Sequence, residues 1–102
     1  MAKYSKELII EQLEAVLQEV KIRIPESYVI SFNTNLKEES QVMELYFQTQ
    51  FVMTPRIVSK AMDRDTILLV ENILEEPVKT QNIDILRIIT SNDLRVTLLR
   101  KK

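Results

Sequence analysis

The chain has no cysteine, no histidine and no glycine in its 102 residues. The first absence removes disulfides, thiolate nucleophiles and zinc–thiolate centres together. The second removes the commonest general base and the commonest metal ligand. Of the usual catalytic groups only carboxylates, lysine, tyrosine and hydroxyls remain. Without glycine there is no P-loop and no dinucleotide-binding fingerprint, because both need a backbone stripped of Cβ to approach phosphate. Every tight turn must be made with Asn, Asp, Ser or Pro. No apolar run approaches the ~18 residues that mark a membrane span. The opening "MAKYSKELII" lacks the long apolar stretch and small-residue cleavage site of a signal peptide.

What is present is ordinary for a globular domain: 45% apolar and 28% charged residues, with a net charge of −1. A chain this long builds one core, so a single domain is expected over residues 1–102. A net charge near zero does not steer toward phosphate, so no nucleic-acid partner is expected. No metal and no cofactor is expected either.

Periodicity divides the chain. Residues 5–22, "SKELIIEQLEAVLQEVKI", place Ile9, Leu13, Val16, Leu17 and Val20 at amphipathic-helix spacing. Ser5 is the expected N-cap, and Pro25 ends the helix. "SYVISFNTN" (27–35) reads as a strand covered on both faces. In residues 35–55, Asn35 and Glu38 resemble a capping box ahead of a helix. Its apolar face is expected to hold Val42, Leu45, Tyr46 and Met53, widened into the core by Phe47 and Phe51. Pro55 stops that helix near Met53. "RIVSK" (56–60) is a short strand, "AMDRD" (61–65) a charged turn and "TILLV" (66–70) a buried strand. Residues 71–84 read as a short helical turn and a loop. "ILRIIT" (85–90) and "LRVTLLR" (94–100), joined by "SND", read as a hairpin. The order predicts an α/β fold with a mixed sheet of four to five strands, two main helices and a C-terminal hairpin.

Four places hold side chains that could carry chemistry. Asp63 and Asp65 flank Arg64, but two carboxylates on a turn are too few for a hard cation, and a solvated turn is the simpler reading. Glu71 and Asn72 end a strand, as do Asn33 and Asn35, and neighbouring parallel strands would bring these groups to one edge, where α/β sheets gather ligands. A general-base role for Glu71 would depend on its burial. Arg95 and the terminal Arg-Lys-Lys form a small basic cluster. Within "LYFQTQFVMTPRIV", Gln48 and Gln50 point about 200° apart on a helix. Arg56 sits where it would meet the helix's negative end.

The run "YFQTQFVMTPRIV" carries a further signal: paired aromatics, then Gln-aromatic, then Pro-Arg before an apolar strand. It resembles the small soluble domain of multi-spanning bacterial membrane proteins of the glycosyltransferase-like, cell-envelope polysaccharide type. Tyr46, Gln50, Pro55 and Arg56 are its sharp positions. "IRIPESYVISF" before it and "DTILLVE" and "RVTLLRK" after it keep the same order from about Leu8 to Lys101. The catalytic carboxylates of such enzymes lie in their membrane part, so the resemblance implies a non-catalytic accessory domain on the extracytoplasmic side. Its partner would be another protein or the chain's own membrane region, met through Tyr46, Gln50, Arg56 and Glu71. The alternative is a free-standing, cytoplasmic homodimer or adaptor that uses the first amphipathic helix. A small enzyme built on Glu71 or the Asp63/Asp65 pair comes third.

Overall fold

A computed structural model describes residues 6–102, with side chains from Gln12 onward. The elements are α1 (Lys6–Lys21), β1 (Val29–Thr34), α2 (Glu39–Met53), β2 (Ile57–Ser59), β3 (Thr66–Asn72), β4 (Ile83–Ser91) and β5 (Leu94–Lys101). They form one sheet in the order β2-β1-β3-β5-β4. The first three strands run parallel. The C-terminal hairpin is added antiparallel, with β5 innermost. This is the α/β class that the alternation of patterns predicts, with five strands and two helices.

Both helices cover one face. Successive strand residues point to opposite sides of a sheet. Ile30, Phe32, Val58, Leu68, Val70, Val96 and Leu98 therefore share the helix side, where they meet Leu13, Val16, Leu17 and Val20 of α1 and Val52 and Met53 of α2. Within α1, Leu13, Val16, Leu17 and Val20 are wholly buried in this core. After Lys21 the chain closes two short turns, Arg23 N–H to the Val20 carbonyl and Ile24 N–H to the Lys21 carbonyl, ahead of Pro25. The predicted N-cap Ser5 and the side chain of Ile9 lie outside the described residues.

Three local expectations are corrected. Asn35 does not cap α2, whose N-cap is Glu38 without a side-chain bond. Its amide is instead drawn across the sheet: Nδ2 donates to the Asn72 carbonyl (2.8 Å) and the Glu76 carbonyl (3.2 Å), and Oδ1 accepts the Asn72 N–H (2.9 Å). Three buried bonds to backbone outweigh one exposed cap. Second, Phe47 and Phe51 are not core; Phe51 is 78% exposed. The buried stripe of α2 runs through Leu45, Tyr46, Thr49, Val52 and Met53, and at ~100° per residue the two phenylalanines lie on the opposite side. Third, residues 73–82 hold turns and extended chain but no helix.

The absence of glycine shows at two turns. Asn82 and Asn92 take φ of 55° and 52°, the left-handed region that Asn tolerates best among residues with a Cβ. Asn92 makes the β4–β5 turn.

The sheet's second face is covered by loops. Ser31, fully buried in β1, donates to the Ala61 carbonyl (2.7 Å) and accepts the Arg64 N–H (3.1 Å), which ties the loop after β2 under the sheet. Ile67, Leu69 and Leu99 form a small second cluster with Val78 and Ile83.

Candidate functional site

The structure brings Tyr46, Gln50 and Arg56 together and leaves Glu71 apart. Gln50 projects from α2 onto the start of β2, where its Oε1 accepts the Val58 N–H (2.7 Å) and its Nε2 donates to the Arg56 carbonyl (2.8 Å). Tyr46, one helical turn earlier, donates its hydroxyl to the Val58 carbonyl (2.7 Å) and sets its ring edge-on to Phe32. Arg56 is buried and donates Nε to the Ile24 carbonyl (2.8 Å), not to the end of α2. The tyrosine and glutamine thus meet backbone groups at the β2 edge, and the arginine a carbonyl of the turn after α1. The sharp positions of "YFQTQFVMTPRIV" hold α2, β2 and the chain after α1 in place. The side chains of Gln50 and Arg56 are spent on this framework.

Glu71 lies on the other face of the sheet, 3% exposed. Its Oε1 accepts Nε and Nη2 of Arg95 at 3.2 and 3.0 Å, and its Oε2 accepts the Val78 N–H at 2.9 Å. β1 and β3 are parallel neighbours, as the strand-end reading requires. Asn35 and Asn72 do meet there, but Glu71 turns toward Arg95, and Asn33 accepts its neighbour Thr34's N–H. The carboxylate's two oxygens anchor β5 and the chain after β3, an arrangement suited to pinning a loop.

Asp63 and Asp65 are exposed on the loop, with Arg64 3.7 Å from Asp63. Among the described residues no three acidic side chains gather as a metal site.

A cleft of about 300 Å³ opens beside this region on the loop-covered face. Its floor is the second apolar cluster, Ile67, Leu69 and Leu99, against which Val78 and Ile83 pack, and Met62 also lines it. Lys79, Lys101, Lys102, Asn33, Gln81 and Asn82 line it as well. Lys102 lies 3.7 Å from Asp84, and Lys101 gives one of its three N–H bonds to the Met62 carbonyl (2.9 Å). Among the described residues Lys79 forms no ion pair. An apolar floor with a few converging polar groups is the usual make-up of a small-molecule site. Sequence reasoning singled out only Asn33 and the C-terminal lysines among its polar lining. Lys79 and Asn82 sit in a stretch with no periodicity, and nothing in their spacing links them to the end of β5.

No family model matches the chain, and no curated protein does. Solved structures similar to it include a chain from Haemophilus influenzae provisionally called a methylase, at 14% identity and a TM-score of 0.37. That match covers 95% of this chain and 68% of the other. A chain from Escherichia coli provisionally called a methyltransferase matches at 14% identity and a TM-score of 0.38, over 100% of this chain and 59% of its own length. Likenesses this distant carry no argument about activity. They nevertheless correct the resemblance drawn from "YFQTQFVMTPRIV": the similar structures are methyltransferases by name, and no envelope glycosyltransferase-like membrane protein is among these matches. The reading as a non-catalytic accessory domain of a membrane-anchored envelope protein falls with it. Among the described residues no helix is long and apolar enough to cross a membrane.

Proposed function

We propose that this domain binds a small organic anion with a short aliphatic part, held in the cleft beneath β3 and β5. The observation that supports this reading is the pairing of an apolar floor, Ile67, Leu69 and Leu99, with Lys79 and Lys101 among the residues lining the cleft. The floor favours a few methylene groups, each contributing about 0.8 kcal/mol on burial. The lysines supply charge to a headgroup that stays partly in water. The cleft lies at the small end of ligand sites, which suits an acyl chain of a few carbons.

Hexanoate and hexanamide have the same carbon skeleton and differ in charge. Hexanoate is expected to raise the melting temperature saturably and to shift the methyl resonances of Ile67, Leu69 and Leu99. Hexanamide is expected to bind more weakly. Lys79→Gln, an exposed substitution, is expected to lower hexanoate affinity several-fold while leaving the ligand-free melting temperature unchanged. Unmoved floor resonances at saturating hexanoate would sink the proposal, as would equal binding of both probes.

A further inference from the structure

The two edges of the sheet are unlike. β2 is three residues long and stitched down by Tyr46 and Gln50. β4, at the far edge, has nine residues. An edge strand presents a row of unpaired N–H and C=O groups, and short length is one of the ways proteins protect it. β4 lacks that protection and exposes Ile85 (58%), Leu86 and Ile88 (50%).

Which backbone groups point outward follows from the ladder. The Lys101 N–H reaches back to the Asp65 carbonyl on the β3 side, and the Lys102 N–H reaches the Asn82 carbonyl on the β4 side. Alternation along β5 then turns Leu94, Val96, Leu98 and Arg100 toward β4. Their partners Ser91, Ile89, Arg87 and Asp84 are bonded within the sheet. Ile83, Ile85, Ile88 and Thr90 direct their N–H and C=O groups to the free edge. The irregularity between Ile85 and Arg87 spaces Ile85 and Ile88 three residues apart on the same edge and the same face.

We propose that the β4 edge pairs antiparallel with β4 of a second copy of this chain, about a two-fold axis between Leu86 and Arg87. An identical strand run in reverse has the same three-residue spacing, so its outward groups meet those of β4 on both sides of the irregularity. Ile85 then faces the second copy's Ile88, and Ile83 faces its Thr90. The four isoleucines at positions 85 and 88 cluster on the loop-covered face, because their β5 partners Leu99 and Thr97 lie there. On the helix face Asp84 becomes the diagonal neighbour of the second copy's Arg87, within reach of a long side chain. Arg87 meets that charge with a buried Nε that has no hydrogen-bond partner among the described residues. The pairing is isologous, so each contact occurs twice.

The test is sedimentation equilibrium on the whole chain together with amide hydrogen exchange. The wild type is expected to be a dimer, with slow exchange at the Ile85 and Ile88 amides. Ile85→Lys and Ile88→Lys are expected to weaken the dimer about 100-fold or more, a loss of about 2.7 kcal/mol, and to release both amides. Their far-ultraviolet circular dichroism should stay that of the wild type, since both side chains are already half exposed. Phe51→Glu, at an exposed aromatic of α2 away from β4, is expected to remain dimeric. A wild type that stays monomeric at millimolar concentration overturns the proposal. So does a dimer that survives both lysine variants or dissociates with Phe51→Glu, and so does a dimer whose Ile85 and Ile88 amides exchange freely.

Discussion

Glu71 and Arg95 show how a single buried charge organises this fold. A carboxylate so far from water is tolerated because its oxygens accept two guanidinium bonds and one backbone bond. Removing one member of such a pair leaves the other buried and uncompensated, which costs more than the pair itself contributes. Arg95→Met is therefore expected to destabilise the protein by about 3 kcal/mol, read by urea unfolding. Glu71→Leu combined with Arg95→Met should recover more than half of that loss, with the remainder reflecting the orphaned Val78 N–H. Additive losses in the double variant would show that the two residues act separately. Sequence reasoning singled out Glu71 as a strand-end carboxylate and left its burial open. It did not pair it with Arg95, because that contact spans 24 residues and depends on β5 lying next to β3.

At the scale of elements, the informative piece is β2. Three residues pair with β1 too briefly to persist on backbone bonds alone. Gln50 and Tyr46 add three side-chain bonds from α2, holding the start and middle of the strand. Gln50→Ala is expected to cost about 1–2 kcal/mol and to speed hydrogen exchange selectively at the Val58 amide, with β3 and β5 unaffected. Uniform loss of protection across the sheet would instead show that β2 unfolds only with the whole domain. The helices themselves were legible from their spacing, and Pro25 and Pro55 marked their ends. The exposed side of α2 was not. Apolar residues occur all round that helix, so the pattern alone could not say which aromatics turn inward.

For the whole molecule, the central strand β3 decides cooperativity. Leu68 is fully buried between α1, α2 and both neighbouring strands' side chains. Leu68→Ala is expected to destabilise by about 3 kcal/mol, lowering the melting temperature by roughly 15 °C. Because one core joins both helices to all the parallel strands and β5, the variant should still melt in a single transition by both circular dichroism and tyrosine fluorescence. Separate transitions would mean that the β4–β5 hairpin unfolds as its own unit.

The sequence by itself determined the α/β class, the order of the two helices and the main strands, and that turns must be made without glycine. These follow from local periodicity, β-branching and the proline and asparagine positions, each set within a few residues. Only the tertiary structure decided that β5 inserts between β3 and β4. That choice brings Lys101 to Lys79 over an apolar floor, gives Glu71 its arginine and leaves the long strand β4 at the edge. The physical reason is that strand order is set by which faces bury the most apolar surface together, a property of the assembled layers that no single segment carries.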